Sequence, residues 1–452
     1  MTEVITIETP ELGDRSYLAH DGEVGVVIDP QRDIDRVMRA AETAGVRIIG
    51  VAETHLHNDY VSGGRELAVV TGAVHLVGGG DEVDFSCVTA VGGDEHRFGS
   101  LVVRVMSTPG HTPHHVSYSV GIGEGAVVVF TGGSLLFGTV GRTDLVGAEY
   151  AEGLSRDQYR SVRHLVDELD DNVVVCPTHG FGSFCSSIST VETGPPTIGF
   201  ERHHNQALLA EDEDGFVKEL LSGLSAYPRY YAHMGAINRA GPLPIDLSVP
   251  GRVDADELRR RIEAGEWIVD LRDRTVFAAG HVPGTIGVEL ATSFSTYLGW
   301  VIPWGTPVTL MADSIELVAK AQRDLARIGI DRPAGMAVGE PAGLSTQGVS
   351  AYPVSDFSGL RAALEQHRPL TLLDTRRDDE WEDGHIEGAT HIHLADLEAR
   401  MDDVPDGPVW VHCASGYRAS IAASLLARAG KEPVLIDDNW DRADQVGLPI
   451  AH

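Results

Sequence analysis

The chain has 452 residues, which corresponds to about three domains of ~150 residues and excludes a single small binding module. Apolar residues make up 42% and charged residues 23%, as in ordinary globular proteins, so long disordered arms are not expected. Asp and Glu outnumber Lys and Arg by 67 to 35, and the net charge of −32 would repel a nucleic acid backbone or an anionic membrane. We therefore expect neither as a partner.

The N-terminal residues and the cysteines bear on the compartment. Residues 1–6 show no basic stretch followed by an apolar one, and no apolar run approaches the ~20 residues that span a bilayer. The four cysteines lie far apart and form neither a CxxC pair nor a dense disulfide framework. We therefore expect a cytoplasmic protein with free thiols. The sequence leaves a homo-oligomer open.

The first half of the chain alternates β-branched runs with helical stretches. Residues 24–28 and 48–51 are predicted strands, and residues 34–44 between them are a predicted helix. Each apolar run ends in a polar, glycine-containing turn that bears His or Asp, as is typical of strand ends that build a site. The Ala-Gly-Pro-Leu-Pro stretch at 240–244 suits a linker, so we expect one α/β domain over residues 1–245. Further strands are predicted at 101–106, 127–131 and 173–176.

An internal repeat follows the linker. A strand-like run that ends in Asp270 recurs as one that ends in Asp374, and in both copies an arginine follows two residues later. Both copies then reach a Gly-His pair eleven residues after the aspartate, at His281 and His385. Alternation of strand and helix in units of ~100 residues predicts two small α/β domains with parallel sheets. These domains are expected over residues 246–345 and 346–452.

Three histidine motifs follow strand-like runs in the first domain. The strongest is Thr54-His-Leu-His-Asn-Asp-Tyr60, directly after the strand at 48–51. Its alternating histidines, His55 and His57, project to one side of a strand end and can converge on one cation. Two imidazoles and the carboxylate of Asp59 within five residues are poor at packing and good at ligation. The other two motifs, Thr-Pro-Gly-His-Thr-Pro and Pro-Thr-His-Gly, contain His111 and His179.

The three motifs together resemble the metallo-β-lactamase superfamily. That resemblance implies a four-layer αβ/βα sandwich in which loop residues hold a metal between the sheet edges. Within the superfamily, Gly141-Arg-Thr-Asp-Leu145 is most similar to the persulfide dioxygenases and their glyoxalase II relatives. By that resemblance the domain holds one divalent metal, Fe(II), through His55, His111 and a carboxylate, in a facial geometry that leaves positions open for O2 and substrate.

The sequence departs from this family at two positions. Gly133 stands where those enzymes have the Asp ligand, and Tyr60 replaces the last histidine of the HxHxDH pattern. A two-metal hydrolase needs a bridging carboxylate between cations ~3.5–4 Å apart, so dinuclear hydrolysis is disfavoured. A mononuclear site remains if His57 is the third ligand, with Asp59 and His179 as fourth or outer ligands, and three imidazoles suit Zn(II) about as well as Fe(II). A carboxylate restored at position 133 is expected to raise the affinity for iron. A metal-free pocket is the remaining alternative.

A second strong motif lies near the C-terminus. Cys413 stands at a strand end and is followed by Ala-Ser-Gly-Tyr-Arg418 and an apolar helical run. This order places the sulfur under backbone N–H groups and the positive end of a helix dipole, which stabilises a thiolate. Arg418 adds a fixed positive charge and donors for an anionic substrate such as thiosulfate. Contacts to that substrate are expected from Ala414, Ser415, Gly416 and Tyr417.

The tail from about residue 252 resembles the rhodanese-type sulfurtransferases. Their CxxGxR loop matches residues 413–418 of this chain. The resemblance implies that Cys413 carries the persulfide and that Arg418 binds the negative charge beside it. The related Cys-x5-Arg loop of phosphatases is one residue longer. In the first copy, the same alignment puts Ala312 at the cysteine position and Leu317 at the arginine position. That copy cannot carry sulfur, so we expect it to be a structural spacer or a docking surface.

The motifs match the three-part plan of bacterial persulfide dioxygenase-sulfurtransferase fusions. By that resemblance the protein acts on a small-molecule thiol persulfide and on thiosulfate. Cys185, six residues after His179, is a candidate second thiol at the rim of the metal pocket, with a packed loop cysteine as the alternative. Two other classes of protein stay open: a zinc-dependent thioester hydrolase similar to glyoxalase II, and a metal-free scaffold that delivers sulfur to the C-terminal domain.

Overall fold

The computed structural model describes residues 2–123, 125–187, 196–367 and 369–452. The chain forms two compact units. The first comprises Met1–Ile245 with Ala326–Gly329, and the second comprises Asp246–Leu325 with Ile330–His452. The expected division of the second unit at residue 345 stays a prediction, because both rhodanese-like copies fall within that unit.

The first unit contains two sheets and the helices that cover them. Its strands are β1 (Glu3–Thr9), β2 (Asp14–His20), β3 (Val24–Ile28), β4 (Arg47–Ala52), β5 (Val74–Gly78), β6 (Val88–Ala90), β7 (Glu95–Phe98), β8 (Leu101–Ser107), β9 (Val116–Ile122), β10 (Val128–Gly132) and β11 (Val174–Pro177). Its helices are α1 (Asp35–Ala44), α2 (Gly64–Thr71), α3 (Ala151–Glu168), α4 (Ile198–His204), α5 (Gln206–Leu209), α6 (Glu213–Ser222) and α7 (Tyr231–Ala240).

The two sheets of the first unit stack on a shared core. One sheet has the order β1-β2-β3-β4-β5-β6 and the other β11-β10-β9-β8-β7. Alternate residues of β8, namely Leu101, Val103 and Val105, point into this core and meet Tyr17 and Ile28 of the first sheet. Because these apolar residues recur at every second position, β8 turns one apolar face toward the other sheet.

Helices cover the outer faces of both sheets. Val37 of α1 and Leu67 of α2 pack on the first sheet in one cluster. Leu165 of α3 and Phe216 of α6 pack on the second sheet in another. The layers are therefore helix, sheet, sheet and helix, which confirms the predicted αβ/βα sandwich. Within the described residues, every helix is too short or too polar to cross a bilayer.

The second unit contains two parallel sheets, one for each copy of the repeat. The first has the order β13-β12-β14-β15 and the second β16-β21-β20-β17-β19. The strands are β12 (Trp267–Asp270), β13 (Ile286–Gly287), β14 (Val308–Ala312), β15 (Gly335–Val338), β16 (Val354–Ser355), β17 (Thr371–Asp374), β18 (His385–Ile386), β19 (Thr390–His391), β20 (Pro408–His412), β21 (Glu432–Ile436) and β22 (Ile450–Ala451). The helices are α8 (Ala255–Glu263), α9 (Arg274–Ala279), α10 (Phe294–Val301), α11 (Ile315–Arg327), α12 (Pro341–Leu344), α13 (Phe357–Glu365), α14 (Asp378–Asp383), α15 (Tyr417–Arg428) and α16 (Asp441–Gln445).

The repeated Asp-x-Arg motif makes the same buried ion pair in both copies. In the first, Arg272 Nη2 donates to Asp270 Oδ2 at 2.6 Å and to the carbonyl of Gly280 at 3.0 Å. In the second, Arg376 Nη2 donates to Asp374 Oδ2 at 2.7 Å and to the carbonyl of Gly384 at 2.7 Å. The motif therefore joins the end of the first long strand to the turn that follows the next helix, and its role is structural.

The sheet register tests the alignment of the two copies. Asp270 is paired with Met311 across the first sheet, and Asp374 is paired with His412 across the second. The residue after each partner occupies the same place in its copy, so Ala312 does stand where the second copy has its cysteine.

Arg376→Ala should lower the free energy of unfolding of the protein by about 3–5 kcal/mol, because it leaves a buried carboxylate without its partner. Urea unfolding of both variants measures this. The matched control is Arg400→Ala, which breaks a pair with Asp403 at 2.8 Å that is about half exposed and should therefore contribute little. Equal losses in the two variants would show that burial does not set the strength of the repeated pair.

Candidate functional site

The three histidine motifs meet at one end of the sandwich. His55 follows β4, His111 follows β8 and His179 follows β11. All three side chains are buried, and one ring nitrogen of each lies within 4.8 Å of the others. The Nε2 atoms of His55 and His179 are 3.3 Å apart. Loops at strand ends thus bring together imidazoles that are far apart in the sequence.

Hydrogen bonds place a proton on the Nδ1 atom of each of these histidines. His55 Nδ1 lies 2.9 Å from the hydroxyl of Thr54, which donates its own proton to Asp29, so the imidazole must be the donor. His111 Nδ1 donates to the carbonyl of Arg142 at 2.7 Å. The Nδ1 of the third histidine, His179, donates to Asp14 at 2.9 Å. Every Nδ1 is therefore a donor, and Nε2 is the ring nitrogen of each histidine that a ligand could bind.

This arrangement fits a divalent metal. Metal-bound histidines usually donate their second ring N–H to a carboxylate, a backbone carbonyl or water. Here His179 donates to a carboxylate, His111 to a carbonyl and His55 to a hydroxyl. His111 Nε2 is buried and has no hydrogen-bond partner among the described residues. Burial lowers the pKa of His111 to about 3 and that of His55 well below its usual value, so both rings are neutral and able to ligate.

His179 differs from the other two in its charge. Its burial opposes the charged form, but the carboxylates of Asp59 and Asp14 outweigh that effect and raise the pKa of His179 to about 10. Asp14 Oδ1 and Asp59 Oδ2 lie 2.9 and 3.1 Å from its Nδ1. In the metal-free protein the second proton of this ring is directed at His55, and a metal ion would replace that proton.

His57, expected as the third ligand, has other partners. Its Nε2 lies 3.0 Å from the hydroxyl of Tyr60, 3.3 Å from Asp29 and 3.5 Å from Glu53. Although its burial lowers the pKa, these two carboxylates raise the pKa of His57 to about 9. Its ring also stacks on that of Tyr60, with centroids 4.2 Å apart. His57 still belongs to a second possible ligand group with Asp59 and His179.

The ligand sets therefore differ from the predicted ones in one respect. His179, expected as a fourth or outer ligand, stands in the group with His55 and His111. Asp59 lies beside that group through its contact with His179. Besides Asp29 and Glu53, two further residues around it have no counterpart in the sequence motifs. They are Asp14, which holds His179, and Asn238, whose amide donates to the carbonyls of His57 and Tyr60 at 2.8 Å each.

The turn at Gly133 leaves no space for the carboxylate that the family resemblance expects. A Cβ atom added at this position would overlap the His111 ring. This geometry argues against the expectation that an aspartate here raises iron affinity, because the new side chain would displace a histidine of the cluster.

Cys185 is buried beside the histidine cluster rather than exposed at its rim. Its backbone carbonyl accepts a hydrogen bond from Arg142 at 2.9 Å. Burial raises the pKa of the Cys185 thiol well above its usual value, and the neighbouring Asp59 and Asp14 add to that shift. The thiol is therefore protonated, which disfavours it as a nucleophile.

The CxxGxR motif forms a loop between β20 and α15. Cys413 is 1% exposed and directly follows the strand. Gly416 precedes the helix with φ +86, and a Cβ there would overlap a carboxylate oxygen of Asp437, so only glycine fits. Ser415 is exposed, and the carbonyl of Ala414 accepts a hydrogen bond from the backbone of Trp440 at 2.9 Å.

Arg418 forms a bidentate pair with Glu380, a residue that the sequence analysis did not select. Arg418 Nη1 and Nη2 donate to its two oxygens at 2.5 and 2.7 Å. Burial alone would raise the pKa of Glu380, but Arg418 outweighs it and lowers the pKa to about 2. The repeat carried a signal for this residue, because the first copy has Val276 and Leu317 where the second has the pair.

Comparisons with known proteins find relatives of both the histidine-containing first unit and the domain that contains the CxxGxR loop. A family model for the rhodanese-like domain matches residues 357–442. Persulfide dioxygenase ETHE1 of Homo sapiens is 28% identical over 246 residues, which cover 54% of this chain and 81% of that protein. A hydroxyacylglutathione hydrolase of Methylococcus capsulatus is 31% identical over 216 residues, which cover 47% of this chain and 79% of that enzyme. The crystal structure of a metallo-beta-lactamase from Staphylococcus aureus is 26% identical, with a TM-score of 0.65 over 75% of this chain and 99% of that chain.

The chain belongs to the metallo-β-lactamase-fold family that includes the hydroxyacylglutathione hydrolases and is similar to the persulfide dioxygenases. It is, more particularly, a fusion of such a domain with a rhodanese-like domain at the C-terminus. Both points confirm the resemblances drawn from the motifs, and the fusion is an enzyme with residues that suit a divalent metal.

Gly133→Asp should lower the affinity of the histidine cluster for metal by at least about tenfold, because the new side chain displaces His111 from a position that its partners fix. Metal analysis after dialysis against a weak chelator measures this. Gly153→Asp is the matched control, since it adds the same charge on α3 where a Cβ meets nothing within 4 Å. A higher metal content in Gly133→Asp would mean that the loop yields and that the new carboxylate ligates.

Proposed function

We propose that the protein acts on sulfane sulfur, with a persulfide dioxygenase centre in the first unit and a sulfurtransferase centre at Cys413. The observation that carries this proposal is the convergence of one ring nitrogen from each of three histidines in one buried cluster, in a chain that also has a CxxGxR loop. The Thr-Gly-Gly turn has no side-chain carboxylate to bridge two cations, which favours a single metal.

The histidines His55, His111 and His179 would hold that metal. A bound divalent metal would supply open coordination positions and, if it is iron, redox chemistry with O2. Iron is the ion of the persulfide dioxygenases that the chain resembles, whereas three imidazoles suit zinc equally well. Asp14 orients His179, and Thr54 orients His55, so hydrogen bonds to the Nδ1 atoms fix the orientation of both rings.

The overall oxidation is balanced with water as a co-reactant. A thiol persulfide RSSH, O2 and H2O give the thiol RSH, sulfite and two protons. Both oxygen atoms of O2 are reduced, and the outer sulfur is oxidised to sulfite. The substrate class is therefore a low-molecular-weight thiol persulfide.

The sulfur transfer at Cys413 takes two displacements. The Cys413 thiolate attacks the outer sulfur of thiosulfate, the S–S bond breaks, and sulfite leaves with the electron pair. An acceptor thiolate then attacks the outer sulfur of the Cys413 persulfide and regenerates the thiolate. Arg418 supports both steps, because its charge stays fixed while negative charge moves between the sulfur atoms. Glu380 holds the guanidinium in place.

A second function is favoured by the 31% identity to a hydroxyacylglutathione hydrolase. In that case zinc would occupy the cluster and the substrate would be a thioester. A third outcome, a metal-free domain that only delivers sulfur to Cys413, would leave the cluster without any function in catalysis.

Metal analysis and O2 uptake distinguish these three functions. Protein purified without oxygen should contain one equivalent of iron and should consume O2 when given glutathione persulfide. The double variant His55→Ala/His111→Ala should lose both, whereas His114→Ala, an exposed histidine near the cluster, should keep both. Zinc with turnover of a hydroxyacylglutathione would instead establish the hydrolase, and protein without metal would establish the scaffold. Two tightly bound equivalents, or metal retained in the double variant, would overturn the site as described.

Cys413→Ser should abolish sulfur transfer from thiosulfate to cyanide, because serine cannot form a persulfide. Arg418→Ala should keep measurable activity but lose about 2.7–4 kcal/mol of transition-state stabilisation, which is ~10²–10³-fold in rate. The mass of the intact protein should increase by one sulfur after thiosulfate treatment, and peptide mapping should place it on Cys413. Cys87→Ser is the control, since this free cysteine lies outside both sites. Sulfur found on Cys185 instead would place the carrier in the metal domain.

A further inference from the structure

The first rhodanese-like copy touches the CxxGxR loop of the second. The side chain of Tyr417, which lies between Gly416 and Arg418 in that loop, does not point away from the protein. Its hydroxyl donates to the backbone carbonyl of Glu289 at 2.6 Å. Its ring lies 5.6 Å from the ring of Tyr297, centroid to centroid. Both partners belong to the copy that has no cysteine of its own.

A second contact between the copies reaches the same loop from another direction. Arg274 of the first copy donates to Glu289 Oε2 at 2.7 Å and to Asp437 Oδ1 at 2.8 Å. This oxygen of Asp437 is the one that a Cβ at Gly416 would overlap, so it lies directly against the loop. Arg274 therefore connects the carboxylate beside Gly416 to the residue that accepts the Tyr417 hydrogen bond.

Tyr297 also lies close to the reacting groups. Burial raises the pKa of its phenol, with Arg418 opposing that shift and Cys413 adding to it, so both groups are within electrostatic reach. Trp300, one turn further along α10, stacks against Tyr297 with ring centroids 5.8 Å apart. The ring of Tyr297 is therefore in contact both with Trp300 of its own helix and with Tyr417 of the other copy.

We propose that the first copy is a positioning element of the sulfurtransferase centre. Glu289 and Tyr297 hold Tyr417, and Tyr417 in turn fixes the backbone of the Cys413 loop. The loop's N–H groups stabilise negative charge on sulfur only when they point at it, and small misplacements of such groups are costly in rate. This inference rests on the proposed sulfur transfer, and it assigns the first copy a direct effect on Cys413 rather than the role of a spacer.

Three variants of the full-length protein test this. Tyr417→Phe removes the hydrogen bond to Glu289 and should lower kcat for sulfur transfer about threefold to tenfold, as the loss of one hydrogen bond predicts. Tyr297→Ala removes the ring contact and should lower kcat about tenfold or more, and Tyr297→Phe should restore most of that loss. The KM for thiosulfate should change less than kcat, because Tyr297 positions the loop and does not bind the anion.

The control is Tyr352→Phe. This tyrosine is buried in the same unit, and its hydroxyl has no hydrogen-bond partner within the described part of the chain. The change removes the same atom as Tyr417→Phe and should leave kcat and the unfolding temperature as in wild type. Unfolding temperatures of all variants separate a positioning effect from a loss of stability.

The rate at which iodoacetamide alkylates Cys413, followed by peptide mass, is a second measurement that does not need turnover. Tyr417→Phe and Tyr297→Ala should each slow it relative to wild type and Tyr352→Phe. If wild type transfers no sulfur, the proposed function fails, and the alkylation rates still decide the positioning role. If wild type is active and both variants match it in kcat and in alkylation, the positioning role is wrong.

Discussion

The geometry of the histidine cluster depends on one buried carboxylate. Asp29, at the end of β3, accepts hydrogen bonds from the backbone and hydroxyl of Thr54 at 2.7 Å each and from the hydroxyl of Thr178 at 2.5 Å. Each of these threonines directly precedes a histidine of the cluster. The carboxylate therefore sets the distance between two loops that come from different sheets. Its own backbone has φ +49, a conformation that costs a non-glycine residue about 1–3 kcal/mol and persists only where the surroundings impose it.

The same carboxylate also affects the charge of a histidine beside the cluster. Asp29 and Glu53 hold His57 in its charged form, and Asp59 and Asp14 do the same for His179, which belongs to the cluster. Among the described residues, His55 and His111 have no such carboxylate in contact, so burial keeps them neutral. One buried region thus contains both ion pairs between carboxylates and histidines and the two neutral imidazoles of His55 and His111. The charge of each histidine follows from whether a carboxylate is in contact with its ring, because burial alone would keep all of them neutral.

The sequence predicted the parts of the site that are local. Histidine motifs at strand ends and the cysteine before a helix are short patterns whose geometry follows from the strand and helix they join, and both were found. Asp14 lies 165 residues from its partner His179, and no short pattern could connect them. Asn238 and Glu289 act on loops far away in the chain, and Glu289 does so through a backbone carbonyl, which any residue has. The same limit applies to the fold. The helix predicted at 34–44 is local, and α1 does begin at Asp35. The space at Gly133 depends on the His111 ring, which comes from another loop, and no local pattern could predict it.

The two copies of the rhodanese-like repeat also differ in a way that bears on how such domains change over time. The first copy has kept the buried Asp270–Arg272 pair and has none of the three groups that act at the second copy's loop, since Ala312, Val276 and Leu317 replace them. A buried ion pair resists loss one residue at a time, because either half alone is costly. Glu380 and Arg418 form a pair of the same kind. In a copy that has no cysteine, however, neither charge has a role in catalysis, so two apolar residues can replace both. A duplicated domain of this kind can therefore lose all of its catalytic residues together and still keep its fold. The surface of such a domain can then serve to position residues of the neighbouring copy.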